Sequence, residues 1–170
     1  MGGLNGVLIH CTGINFFVLT LASSGMLRGV SLMITDGKPV TKFGKEFMQL
    51  GIGRIGELQL PVLFALALIL ISFHLLFHTK LGNYIQALGG SETALKRAGV
   101  RTGFYRIFVH VFLGITAAVT AIIITARLNS AEPNAGMNME FDAVTAVIMG
   151  GTPIRGGTAS ITGTVLAVLI

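Results

Sequence analysis

The sequence predicts an all-α, polytopic membrane protein with three full spans, partial helices at both ends and a re-entrant Gly-rich segment. Three observations predict it. The chain is 52% hydrophobic and only 11% charged, whereas soluble domains carry about 25% charged residues. With a mean hydropathy of +0.80, it has too little polar surface to cover a water-soluble sphere, so lipid is the expected solvent. Three apolar runs (14–34, 60–78 and 107–126) are long enough to cross a core of roughly 30 Å at about 1.5 Å per residue. Finally, the basic residues behind the net charge of +5 sit mostly at the ends of those runs, as membrane topology requires. They do not form the solvated basic face that would point to nucleic acid.

Residues 2–9 are apolar but too short to span, and no basic n-region marks a signal peptide. They read as one end of a helix, and the run at 161–170 reads as the start of another, so a fragment of a longer protein is expected. In the first full span, 14–34, Arg28 lies near the far end, where it can snorkel or face other helices. Gly25 and Gly29 give the same span a small face. The loop 35–59 opens on the turn signal Asp36-Gly37 and holds Phe43, Phe47, Met48 and Leu50, which suit an interfacial amphipathic piece. Gly51, Gly53 and Gly56 make a regular helix there costly.

The second span, 60–78, starts with Pro61, which suits a helix N-terminus. His74 and His78 lie four apart near its end and read as interfacial residues, without the acidic or thiol partners of a metal site. The third span, 107–126, is rich in Ala and Thr, which favour close helix packing. Beyond it, 128–139 is polar and turn-rich, and Phe141 to Met149 is apolar but short. The Gly150-Gly151 and Gly156-Gly157 pairs around Pro153 then break any helix. A half-helix with broken backbone at membrane depth is tolerated only inside protein or along a cavity. Residues 140–160 are therefore expected to be re-entrant.

Alternation of three spans puts 35–59 and 127–140 on one side and 79–106 on the other. The interval 79–106 carries five basic residues and one acid, against four basic and three acidic in 35–59. Lys and Arg favour the cytoplasmic side, so 79–106 is expected there. It also contains a Gly89-Gly90 break followed by a short potential helix.

The sequence has no phosphate-binding GxxxxGK[ST] pattern and no GxSxG, HExxH or CxxC. Ser, His and acidic residues are scattered, without a triad-like grouping. Every acid lies in a loop or at a span edge, which argues against an ion-coupled secondary transporter. A transport subunit powered elsewhere, and not an enzyme, is the better reading.

The residues resemble a family, the membrane-spanning permease subunits of ribose-type (simple-sugar) bacterial ABC importers. The resemblance rests on Thr79-Lys-Leu-Gly82-Asn-Tyr84 with Ala87-Leu-Gly89-Gly90, on Ser91-Glu92-Thr-Ala94-Leu-Lys96-Arg97-Ala98-Gly99-Val100, and on Ala126-Arg127 with Ser130-Ala131-Glu-Pro133. It continues through Glu140-Phe-Asp142-Ala143, Gly150-Gly151-Thr152 and Gly156-Gly157 to Gly163-Thr164. Upstream, Asn5-Gly6, Thr20 and Arg28-Gly29 also fit. The match covers nearly the whole chain in order. The chain departs from the usual family pattern at Ser91 (Asn), Thr93 (Ala), Lys96 (Arg) and Ala98 (Ser), and in the stretch Pro153-Ile154-Arg155.

The resemblance implies that residues 1–170 are part of an ABC-importer transmembrane domain in the bacterial cytoplasmic (inner) membrane. The implied partners are a cytoplasmic ABC ATPase, an extracytoplasmic sugar-binding protein, a second permease subunit in a homo- or heterodimer, and membrane lipid. No cofactor would be held by this chain; ATP and Mg would belong to the ATPase. Residues 91–100 look like the coupling helix that seats in the ATPase, with Ser91, Glu92, Ala94, Lys96, Arg97, Ala98 and Gly99 as its contact and capping residues. Gly89-Gly90 would let the backbone turn into it. Ser91 can cap the helix, and Glu92 suits its positive end. Glu140, Asp142, Gly150, Gly151, Thr152, Gly156 and Gly157 would lie along the translocation path or its wall, or form a packing plug that never touches solute, and Glu140 and Asp142 could instead contact the binding protein. The cargo stays open between a simple sugar such as ribose, nucleosides, other carbohydrates and branched-chain amino acids, and a nonfunctional truncated remnant is a further reading.

Overall fold

A computed structural model describes residues 1–154 and 156–170. Arg155, one of the departures noted above, lies outside the described residues. Among these the structure is helical, with four two-residue strands. Three helices are long and apolar enough to cross a membrane: α2 (Phe16–Thr35), α4 (Leu60–Phe77) and α7 (Thr102–Leu128). These match the expected spans, except that α7 begins five residues before the expected start at 107. The first turns of α7 are thus drawn from what the charge pattern marked as loop.

The chain divides into two compact units, Met1–Leu68 with His110–Ala135, and Ile69–Val109 with Gly136–Ile170. Among the described residues, no large side chain is fully buried, and Leu, Ile, Val, Met and Phe on α2 and α4 stand exposed. An apolar surface of that extent is uncharacteristic of a water-soluble monomer and is what a lipid-facing bundle presents.

In the first unit, α1 (Gly2–Thr12) ends at Gly13 in the left-handed conformation (φ 67°). Gly2 lies backbone-to-backbone on Gly114, where a Cβ would come within 3.1 Å of the Gly114 Cα. The Asn15 side chain caps α2 by accepting from the Phe17 amide at 2.9 Å. Ser23 of α2 donates to Asn5 of α1 across 2.9 Å, a polar link between two apolar helices. The face of Gly25 and Gly29 is open, with nothing within 4 Å of a Cβ at either position.

The loop after α2 holds a short helix where Phe47, Met48 and Leu50 suggested an amphipathic piece, and its glycines do not prevent it. Helix α3 (Lys45–Ile52) runs through Gly51. The glycine is there for space: a Cβ on it would lie 2.6 Å from the Ala126 carbonyl carbon and the Arg127 Cα. Close packing on the end of α7 compensates for glycine's poor helix propensity. Strand β1 (Val40–Thr41) pairs antiparallel with β4 (Ser130–Ala131), Val40 opposite Ala131. The segments that follow α2 and α7 therefore meet, as alternation of three spans requires. Strands β2 (Arg54–Ile55) and β3 (Leu58–Gln59) form a small hairpin around Gly56, at φ 66°.

The second unit contains α5 (Lys80–Gly90), α6 (Glu92–Arg97), α8 (Met139–Met149) and α9 (Ile161–Leu169). Thr79 caps α5, accepting from the Gly82 amide at 3.3 Å. Gly82 is buried against the end of α4, where a Cβ would stand 2.6 Å from the Leu75 carbonyl oxygen. The Gln86 side chain donates to the Leu76 carbonyl at 3.3 Å. His74 and His78 stack in parallel with ring centroids 5.4 Å apart.

The Gly89-Gly90 break is corrected. Both glycines lie in the last turn of α5, and the chain turns at Ser91, whose backbone is extended (φ −159°, ψ 100°). The smallness of Gly89 admits the backbone of Gly156 and Gly157.

Candidate functional site

The expected coupling segment is a six-residue helix, α6, closed at both ends. At its start the Ser91 hydroxyl accepts from the Ala94 amide at 3.3 Å, which satisfies one of the amides a helix start leaves without a partner. At its end Gly99 takes φ 78°. The Gly99 amide donates to the Lys96 carbonyl at 3.0 Å, and the Val100 amide to the Leu95 carbonyl at 3.2 Å. This pair of bonds is the Schellman closure, and its left-handed residue is most easily glycine. The whole 91–100 stretch is thus one capped unit, although only its middle is helix.

Glu92 fixes this unit to the next helix. It pairs with Lys96 one turn on, at 2.9 Å, and with Arg106 in the second turn of α7. The Thr102 hydroxyl, which is buried, donates to the same carboxylate at 3.4 Å. The hydrogen bond from Lys96 and the nearby positive charges of Arg106 and Lys96 hold the Glu92 carboxyl below the ordinary carboxylate range, against the opposing effect of desolvation. Glu92 also stands in the first turn of α6, where the helix dipole favours an anion.

These contacts divide the expected contact residues. Glu92 faces inward as an anchor, and Lys96 is committed to it, although its side chain remains 57% exposed. Ala94, Arg97, Ala98 and Gly99 are exposed. Arg101, just past the closure, is exposed as well. Thr93 and Lys96 share the exposed surface of α6 with Ala94, Arg97 and the C-cap Ala98. The two alanines admit close approach of a partner surface, and the arginine can meet an acid. A sequence reading of the charges missed Arg106 and Thr102. The signal available was that Glu92 is the sole acid of the interval 79–106.

The second set of residues forms a helix–turn–helix. Glu140 and Asp142 occupy the exposed first turn of α8, where negative charge meets the positive helix end. Helix α8 ends at Gly150, followed by Gly151 at φ 87°. Gly150 lies against the start of α9, with a Cβ position 2.6 Å from the Thr164 Cα. The Thr152 hydroxyl accepts from the Ser160 amide at 3.1 Å, which ties the two ends of the turn together. Ser160 in turn caps α9, accepting from Gly163 at 3.2 Å.

Gly156 (φ 77°) and Gly157 (φ 95°) lie in that turn, and they meet the end of α5. A Cβ built on Gly89 would sit 2.7 Å from the Gly157 amide nitrogen and 3.3 Å from the Gly156 Cα. From the other side, a Cβ on Gly156 would sit 3.0 Å from the Gly89 Cα. The two glycine pairs, read separately in the sequence as two breaks, are one contact.

A family model described as "Branched-chain amino acid transport system / permease component" matches residues 1–170. Among curated proteins, the chain is 38% identical over 174 residues to the ribose import permease protein RbsC of Escherichia coli (strain K12) and 33% identical over 174 residues to that of Haemophilus influenzae. Each alignment covers 100% of this chain and 54% of the relative. It is 34% identical over 170 residues to the D-allose transport system permease protein AlsC of Escherichia coli (strain K12), covering 100% of this chain and 52% of the relative. The chain therefore spans about half the length of the curated relatives it matches. No solved structure matches it. With the family model matched from end to end and three apolar helices of spanning length, the chain belongs to the family of branched-chain amino acid transport system permease components.

Proposed function

We propose that this chain works as part of the permease subunit of an ATP-driven importer that carries a simple sugar, such as ribose, across the bacterial cytoplasmic membrane. Its partners in that role are a cytoplasmic ABC ATPase that holds ATP and Mg, an extracytoplasmic sugar-binding protein, and a second permease subunit. The observation that carries the reading is the capped, exposed helix α6 set between spanning helices, in a chain similar over its full length to proteins named as ribose and D-allose permeases. Segment 91–100 docks on the ATPase through Ala94, Arg97 and Ala98. Ser91 and Gly99 hold its ends, while Glu92 and Lys96 brace it. The segment 140–160 lines or supports the path of the solute.

The family description names branched-chain amino acids, and that cargo is the second reading. The relatives at 33–38% identity, named for ribose, and the one named for D-allose favour the sugar. Two measurements test the proposal with the full-length protein in membranes that hold the complete complex. A thiol crosslinker attached at Ala94→Cys is expected to capture the ATPase subunit; if it never does, the coupling assignment fails. Uptake of labelled ribose, allose and leucine is expected to be restricted to the sugars, and leucine uptake alone would shift the reading to the amino acid.

A further inference from the structure

The contact between Gly89 and the Gly156-Gly157 pair joins the two segments to which separate roles are proposed above. We infer that it is a mechanical joint, with Gly89 as the positioning residue through which displacement of segment 91–100 is passed to the turn 150–160. This rests on the coupling role proposed for α6.

The joint has three properties that suit transmission. It is backbone against backbone: the atoms that a Cβ on Gly89 would meet are the Gly157 nitrogen and the Gly156 Cα, not the end of a flexible side chain. Such a contact has no rotamer to absorb motion, and close-packed elements transmit strain. It is also near the docking helix, since only Gly90 separates Gly89 from the Ser91 cap of α6. On the far side the turn is braced. The Thr152–Ser160 hydrogen bond closes it, and Gly150 is seated on Gly163 and Thr164. A push at Gly156-Gly157 therefore reaches both α8 and α9. Glu92, three positions beyond Gly89, is itself held to α7 through Arg106, so the start of α6 and the Gly89 end are tied together and are displaced together.

The geometry separates two neighbouring substitutions. Gly89→Ala puts a methyl group into the backbone of the turn. Gly90→Ala does not, because its Cβ would stand 3.7 Å from the Gly157 Cα, an ordinary contact distance. Both substitutions raise helix propensity alike, so a difference between them reports on the contact.

The experiment uses the full-length permease assembled with its ATPase in membrane vesicles, with native cysteines, including the exposed Cys11, replaced by serine. Maleimide labelling rates are measured at Thr158→Cys, an exposed position beside the joint, without nucleotide and with MgATP. The labelling rate is expected to change on the order of fivefold, near the low end of measured coupling. In the Gly89→Ala background that change is expected to vanish and transport to fall while ATP hydrolysis continues, whereas Gly90→Ala behaves as the parent does. An unchanged Thr158→Cys rate overturns the joint, whether or not Gly89→Ala accumulates, and so does Gly89→Ala transporting like Gly90→Ala. Protection of Ala94→Cys by the ATPase is scored in the same vesicles. Its loss overturns the docking role, while its presence with an unchanged Thr158→Cys overturns the joint alone.

Discussion

Replacing Glu92 by glutamine removes one negative charge and keeps the shape of the side chain. The i,i+4 pair with Lys96 is largely exposed and contributes about 0.4 kcal/mol. The charge-assisted bond with Arg106 involves two side chains that are 23% and 28% exposed, and bonds of that kind contribute about 1.5 kcal/mol. Glutamine can still accept one weaker hydrogen bond, so the net loss is about 1–1.5 kcal/mol, a factor of roughly ten in local opening. The loss is local because the ion pairs and hydrogen bond of the Glu92 carboxylate run to Lys96, Thr102 and Arg106. Amide hydrogen exchange in lipid nanodiscs reads it directly. The Leu95, Ala98, Gly99 and Val100 amides, which close α6, are expected to exchange about tenfold faster in Glu92→Gln, with the amides of α9 unchanged. The pH dependence adds a second arm. The Glu92 carboxyl is held low in the folded protein. Its stabilisation is thus fully present above the carboxylate's unfolded pKa and is lost as pH falls through the depressed folded value. Protection of these amides should decline with acidification in the wild type and stay flat in the variant. Equal protection in both proteins at neutral pH would refute the anchoring argument.

Three further outcomes follow from local geometry. Ser91→Ala removes the cap on the Ala94 amide and is expected to cost about 1 kcal/mol, while Ser91→Asn, an equally good cap, should cost almost nothing; the same exchange experiment measures both. Gly51→Ala drives a Cβ into the backbone of Ala126 and Arg127 and is expected to cost about 2 kcal/mol or more, seen as a lower thermal midpoint in detergent. Ser23→Ala deletes the hydrogen bond to Asn5 and should cost about 0.6 kcal/mol, the usual size of an interhelical bond in a membrane. A shift of several degrees in the midpoint would show that this bond does more.

The spans were legible because length and apolarity alone decide them in lipid. Helices α2 and α4 begin and end within two residues of the runs that announce them. The start of α7 was not legible, because Arg106 counts as a loop charge in the sequence while in the fold it is neutralised by Glu92 and sits inside the helix. The Ser91 cap was read correctly, since capping depends on neighbours three residues away. The Gly89-Gly90 pair was misread for the opposite reason. Two adjacent glycines look the same whether they serve a turn or admit another backbone, and only the distant Gly156-Gly157 pair distinguishes the cases. Gly51 shows the same ambiguity within α3. The exposed Ala94 and Ala98 were picked out from their spacing, and the fold leaves both uncovered.

The ladder between Val40–Thr41 and Ser130–Ala131 bears on how the chain is made. Its partners, Val40 and Ala131, are 91 positions apart (131 − 40). During synthesis, Val40–Thr41 is left without its partner strand until two more spans have been threaded into the bilayer. The pairing closes a long loop with only two residues on each strand, so it cannot drive insertion and can only record that insertion has finished. A chain in which α7 failed to cross would deliver Ser130–Ala131 to the wrong side, and the ladder would never form. The ladder is thus a late contact, formed only once the segments after α2 and α7 lie on the same side of the bilayer.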